Sequence, residues 1–288
     1  MPHDQPVIVI KASDDHCFEL IHVPAAAPGW TLLLLPGMGL SARQYIPFAQ
    51  ALAERGVEVF IHEWRGLGAS SLRAGRNADW GYRELLDFDL VSALAEVRKI
   101  AIDRPLIIAG HSLGAQLACL LAASHRQQAD GIVIIAGGSP YWRTFPALKG
   151  LPLYAGLYLM PLIARIVGHY PGRTLGFAGR EARSVVSDWA LSGRSGRYQP
   201  PGIDRDLEAE MATLTIPVLG LRMEKDWYVP EASLTWLLEK MPRCTITSQI
   251  VKASDMKGPA DHYGWMTDPG ATVECIGDWL EKPHHLAT

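Results

Sequence analysis

Short continuous apolar runs alternate along this chain with stretches in which apolar residues recur every three or four positions. Val7 to Ile10 and Cys17 to Val23 read as opening strands, and Pro24 to Gly29 as a turn. Trp30 to Leu35 is a continuous apolar run ended by Pro36-Gly37, the pattern of a strand buried on both faces. Ile46 to Arg55 reads as a helix stopped by Gly56, and Val57 to His62 as a further strand. From Glu84 to Ile100 the apolar positions Leu85, Phe88, Leu90, Val91, Leu94 and Val97 keep a helical period. Leu106–Ala109 predicts a strand, the residues up to Ser124 a helix, and Gly131–Ala136 a strand. Strands alternating with helices predict an α/β fold, a mostly parallel sheet with helices on both faces.

The pattern changes between 140 and 207. Strand-like runs vanish, and Leu, Tyr, Trp, Gly, Pro and Arg predominate in a helical or irregular block. Its greasiest part, Leu151 to Val167, is interrupted by Pro152, Pro161 and Arg165, which reads as too short and too broken for a membrane span. The alternation resumes with strands at Ile216–Leu221 and Thr245–Val251 and a closing helix at Val273–Leu280. The expected organisation is one α/β domain, residues 1–139 and 208–288, with residues 140–207 as a helical cap or lid inserted into it.

Composition narrows the classes. The chain has 288 residues, 48% hydrophobic and 20% charged, enough for a substantial core. A net charge of -3 gives no sign of a nucleic-acid partner. Cys17, Cys119, Cys244 and Cys275 share no spacing that suits a zinc site or a disulfide framework. The N-terminal Met1-Pro2-His3-Asp4-Gln5 lacks a basic region followed by an apolar one, so a cytoplasmic location is expected.

One stretch carries candidate chemistry. Gly110-His111-Ser112-Leu113-Gly114 matches G-x-S-x-G and falls between a predicted strand and a predicted helix. A serine on such a turn presents its hydroxyl above the sheet, and the helix start offers free N–H groups to developing negative charge. Taken alone, the motif equally fits a helix-capping serine in a small-residue turn. A nucleophilic serine needs a base, and the base needs an orienting group. In this chain order the acid follows a later strand and the histidine comes near the C-terminus. Arg222 to Pro230 offers Asp226, with Glu224 as competitor, and Ala260 to Met266 offers His262, with nine other histidines elsewhere.

With those residues in view, the chain resembles the α/β-hydrolase superfamily of serine hydrolases over nearly its full length. The resemblance rests on the elbow at Gly110–Gly114, on "EKDWYVP", on "DHYGWM", and on Trp64-Arg65-Gly66-Leu67-Gly68-Ala69-Ser70, which resembles an R-G-x-G-x-S loop. Within the superfamily, "HYPGRTLGF" and "SDWAL" resemble a group of predicted bacterial hydrolases. The resemblance implies Ser112 as nucleophile, His262 as base and Asp226 as its orienting acid. It also implies backbone donors at Met38 and Leu113 for an oxyanion, and no cofactor or metal. Two positions depart from the pattern: Pro36-Gly37 stands where a His-Gly pair often sits, and Glu63 where Asp is usual. A backbone donor survives the first change. His111, beside the serine, is expected to pack under the elbow.

The inserted block is expected to line an acyl pocket through Trp142, Tyr154, Leu157 and Tyr158. The expected reaction is hydrolysis of a small-molecule ester with an apolar acyl group. Arg165, Arg173, Arg180, Arg183, Arg194 and Arg197 keep a thioesterase acting on acyl-CoA or an acyl carrier as the alternative, because they could dock phosphates. A binding protein on the same fold is the third reading. A dehalogenase or epoxide hydrolase would need a carboxylate where Ser112 stands.

Overall fold

The computed structural model describes residues 5–282. Residues 1–4 of the N-terminal stretch, and His284 and His285, lie outside the described residues.

The chain opens with β1 (Val7–Lys11), β2 (Cys17–Val23) and β3 (Trp30–Leu35), then α1 (Ile46–Ala53) and β4 (Val57–His62). A short α2 (Tyr82–Glu84) runs through a π-helical turn at Leu85–Leu90 into α3 (Val91–Ile100). Next come β5 (Leu106–His111), α4 (Leu113–Ser124) and β6 (Gly131–Ile135). A long segment then carries α5 (Ala147–Val167), β7 (Tyr170–Pro171), α6 (Gly172–Leu175), β8 (Arg180–Glu181), α7 (Arg183–Ser195) and α8 (Leu207–Ala212). The chain returns to the sheet with β9 (Val218–Met223), α9 (Glu231–Leu238), β10 (Ile246–Val251), α10 (Gly264–Thr267) and α11 (Gly270–Leu280).

Eight strands form one sheet in the order β1-β2-β4-β3-β5-β6-β9-β10. The first two pairings are antiparallel, and every pairing from β4 to β10 is parallel. The central strands β3, β5 and β6 are almost wholly buried, which their unbroken apolar runs require because helices cover both faces. Leu33, Leu35, Ile108 and Ile134 pack on one face, and Leu32, Leu34, Ile107 and Val133 on the other. This is the mostly parallel α/β-hydrolase architecture.

Several elements differ from their expected form. β9 begins at Val218, not Ile216, because Pro217 has no N–H to give the ladder; its carbonyl accepts from Ile132 N instead. The 140–207 block is not strand-free, since β7 and β8 form a two-residue antiparallel ribbon.

The expected interruption of the greasy segment is also overturned. Pro152 and Pro161 both lie inside α5, an unbroken 21-residue helix that is long and apolar enough to cross a membrane. A proline frees the carbonyl four residues earlier. For Pro161 that carbonyl belongs to Leu157, and Arg194 of α7 donates to it at 2.6 Å. For Pro152 it belongs to Leu148, whose side chain is exposed, so solvent reaches the turn.

Candidate active site

The site lies above the C-terminal ends of β3, β5, β9 and β10, where ligands gather in open α/β sheets. Ser112 follows β5 with φ 54° and ψ −116°, a strained conformation for a residue with a side chain. Its neighbours must be glycine. A Cβ at Gly110 would stand 2.2 Å from the Gly114 backbone, and one at Gly114 would stand 2.0 Å from the Leu35 carbonyl oxygen. The elbow is thus clamped between its own helix and β3, and the serine side chain is left facing a cavity.

His262 Nε2 lies 3.1 Å from Ser112 Oγ, and His262 Nδ1 lies 2.8 Å from Asp226 Oδ2. Both residues are 5% exposed. Asp226 is fixed from its other side: Oδ1 accepts from Tyr228 N at 2.8 Å and Val229 N at 3.3 Å. His262 is held by its carbonyl, which accepts from Trp265 Nε1, and by the rings of Tyr228 and Tyr263, whose centroids lie within 5 Å of its own. Glu224, the competing acid, turns away and accepts from Ala253 N.

Met38 and Leu113 line the same cavity as Ser112. Neither backbone N–H makes a hydrogen bond to a described residue. The loop carrying Met38 is secured from below. Tyr45 Oη accepts from Gly37 N at 2.8 Å and bonds His111 Nδ1 at 2.7 Å, and Trp64 Nε1 donates to the Pro36 carbonyl. His111 is therefore a buried prop, and burial beside the His262 imidazole holds its pKa well below the ordinary histidine range. Glu63 completes the support by accepting from Ser41 Oγ and Ala42 N. From above, a Cβ at Gly39 (φ +75°) would meet Gly179 N at 2.2 Å, so the loop and the 140–207 segment touch backbone to backbone.

A second Ser-His-Asp set was not foreseen from the sequence. His16 bonds Asp89 Oδ1 at 2.8 Å through Nδ1 and Ser70 Oγ at 2.9 Å through Nε2, while Arg65 bridges Asp89 and Asp14. The set is sealed in the protein and lines no part of the cavity. Asp89 reaches it from the π turn, and Ser70 accepts from Gly66 N. It pins the Trp64–Ser70 loop.

The void beside Ser112 has a volume of about 520 Å³, within the usual range for small-molecule sites. Its walls include Phe145, Leu153, Met160, Phe177, Trp189 and Tyr228. The four expected pocket residues are not among them. Leu157 is fully buried against Gly193 of α7, and Tyr158 is 55% exposed. Trp142 and Tyr154 pack ring against ring in a tilted pair, centroids 4.7 Å apart, and neither lines the void. α5 is apolar all round, so its composition could not reveal which face turns inward; that face carries Leu153, Gly156 and Met160 at helical spacing. Phe177 and Trp189 reach the cavity only through tertiary packing.

The six arginines are also mostly committed. Arg180 donates to Ala74 O, Arg183 pairs with Asp79, Arg194 holds Leu157 O, and Arg197 pairs with Glu208. Among the described residues no cluster of three or more His, Cys, Asp or Glu has the arrangement of a metal site.

Two carboxyls of the 140–207 segment are withdrawn from water, and Asp188 ties the segment to Tyr82. Burial pushes the pKa of Asp188, which accepts from Tyr82 N, up to about 7, and that of Glu181, which accepts from Gly179 N, to about 7. A carboxyl raised in the fold adds stability below its ordinary pKa and loses it as pH climbs through the folded value. Buried His62, pushed down to about 4, and His111 act in the opposite sense, so the difference from wild type is the clean observable. Thermal unfolding of an Asp188→Asn/Glu181→Gln double variant should gain on wild type steadily from about pH 5 to about pH 8. An advantage that does not change with pH would refute the assignment.

Residues 26–171 match the family described as serine aminopeptidase, S33. A provisionally named carbamate hydrolase, RutD of Caulobacter sp. (strain K31), is 22% identical over 245 residues, covering 81% of this chain and 86% of that protein. A thermophilic esterase from Thermogutta terrifontis, solved with malate bound, superposes with a TM-score of 0.65 at 17% identity over 97% of this chain and 99% of that one. The N-formylmaleamic acid deformylase Nfo of Pseudomonas putida S16 superposes with a TM-score of 0.60 at 16% identity, over 94% and 100%. At such identities the two solved structures bear on the fold alone.

Proposed function

Because the chain belongs to the serine aminopeptidase S33 family of α/β hydrolases, we propose that it is a serine hydrolase cleaving esters with an apolar acyl group through Ser112, His262 and Asp226. The observation that carries this reading is the pair of contacts made by one imidazole, 3.1 Å to the serine oxygen and 2.8 Å to the carboxylate, at the edge of an apolar cavity.

In this scheme His262 Nε2 takes the Ser112 proton as Oγ attacks the carbonyl carbon. Met38 N and Leu113 N receive the oxyanion. The imidazolium, stabilised by Asp226, gives its proton to the leaving alcohol. Water, deprotonated by His262, then attacks the acyl-enzyme, and collapse of the second tetrahedral species restores Ser112. No cofactor enters the scheme. Residues 140–207 act as the cap that walls the acyl pocket. The four free cysteines fit a cytoplasmic location.

The test is a screen of p-nitrophenyl esters of graded acyl length against acyl-CoAs, with Ser112→Ala as control. The account expects ester cleavage that favours medium over acetyl chains and is indifferent to salt. Preference for acyl-CoA, falling steeply with salt, would replace this reading with the thioesterase.

The cavity gives a sharper check. Gly156 lines it, and a Cβ added there meets no atom within 4 Å, so a larger side chain can grow into the space. Gly156→Phe should lower kcat/KM for an octanoyl ester relative to a butyryl ester by about tenfold or more. An unchanged ratio in the folded variant would place the acyl chain elsewhere.

A further inference from the structure

The outer face of α5 has no assigned role. Leu148 (93% exposed), Leu151 (61%), Leu159 (55%), Leu162 (53%) and Ile166 (63%) form a single stripe at helical spacing. The helix rises about 31 Å over its 21 residues. Soluble monomers rarely leave a continuous apolar patch of this kind uncovered.

Charge indicates what covers it. From Gly131 to Arg180 the sequence contains no Asp or Glu, whereas Arg143, Arg165 and Arg173 are cationic; Lys149 faces the cavity and Arg180 is held by the Ala74 carbonyl. Arg194 lies over the ring of Tyr158, on the same stripe. The face is therefore apolar along its crest, with Arg165 on the helix itself and Arg194 beside Tyr158, and the surrounding segment brings no carboxylate to it. A second copy of the chain would set like charges against one another across a two-fold axis. A bilayer with anionic headgroups meets both properties, taking the leucines into its interfacial layer and pairing the cations with phosphates.

Spanning is ruled out by how the helix is fixed. Leu157 is fully buried, a Cβ on Gly193 of α7 would stand 2.6 Å from its side chain, and Arg194 and Arg76 donate to the Leu157 and Ile166 carbonyls. One side of α5 is thus tied to the protein along its length, and only the other is free to meet lipid.

We propose that this face of α5 docks the protein peripherally onto an anionic phospholipid surface. The same helix walls the cavity with its inner face, so attachment brings the cavity to the lipid. The proposal stands independently of the identity of the nucleophile, because its test measures binding and not turnover.

The experiment is co-sedimentation of the full chain with vesicles of phosphatidylcholine alone or mixed with phosphatidylglycerol. Binding should be at least tenfold tighter to the mixed vesicles and should weaken with salt. The Leu159→Ser/Leu162→Ser/Ile166→Ser variant, altered only at exposed positions and checked by its thermal unfolding, should lose at least tenfold in affinity. Arg165→Glu should weaken binding and leave unfolding unchanged. No binding to the mixed vesicles, or equal binding by the triple variant, would overturn the proposal. So would a dimer in analytical ultracentrifugation that the triple variant dissociates, since the stripe would then be covered by a second copy.

Discussion

Ser112→Ala should lower kcat/KM by about 10⁴- to 10⁶-fold, the range seen when a triad nucleophile is removed. The substitution takes away one oxygen. Alanine keeps the size of the β-carbon at φ 54°, so the elbow strain, the clamp at Gly110 and Gly114 and the free N–H groups of Met38 and Leu113 all persist. The residual rate then reports those donors and the cavity alone. Steady-state kinetics on a p-nitrophenyl ester, with thermal unfolding as control, measures it. A folded variant within tenfold of wild type would remove Ser112 from the reaction.

Asp226→Asn should cost about 10⁴-fold, for a reason set by hydrogen-bond geometry. Oδ1 already accepts from Tyr228 N and Val229 N. An asparagine must keep its carbonyl there, which turns its NH₂ toward His262 Nδ1. The imidazole then accepts at Nδ1 and carries its proton on Nε2, facing Ser112 at 3.1 Å. In that tautomer it has no lone pair to take the serine proton. Glu224→Gln is the matched control, since Glu224 binds Ala253 N and should change the rate less than twofold. Equal losses in the two variants would show that general loop disruption, not the tautomer, is at work.

The features legible in the sequence are those fixed by local physics. β2, β3 and β4 have the bounds their apolar runs predict, because each run ends at a turn residue or a change of period. The G-x-S-x-G turn predicts its own setting, since only glycine fits at Gly110 and Gly114. Legibility fails where tertiary contacts decide. Phasing α5 needs knowledge of its neighbour α7, and Pro161 is harmless only because Arg194 arrives from elsewhere to take the freed carbonyl. The π turn at Leu85–Leu90 hides within an ordinary helical period, yet it delivers Asp89 to Arg65 and His16. Phe177 is placed by the loop between α6 and β8, whose two-residue pairing with β7 leaves almost no periodic trace, and Trp189 by the packing of α7 against α5.

The most direct test of the central claim is covalent. A fluorophosphonate probe should modify the wild-type protein once, and peptide mass spectrometry should place the adduct on Ser112. Labelling should vanish in Ser112→Ala and slow strongly in His262→Ala. An adduct on another residue, or a folded wild-type protein that the probe leaves unmodified, would contradict the account.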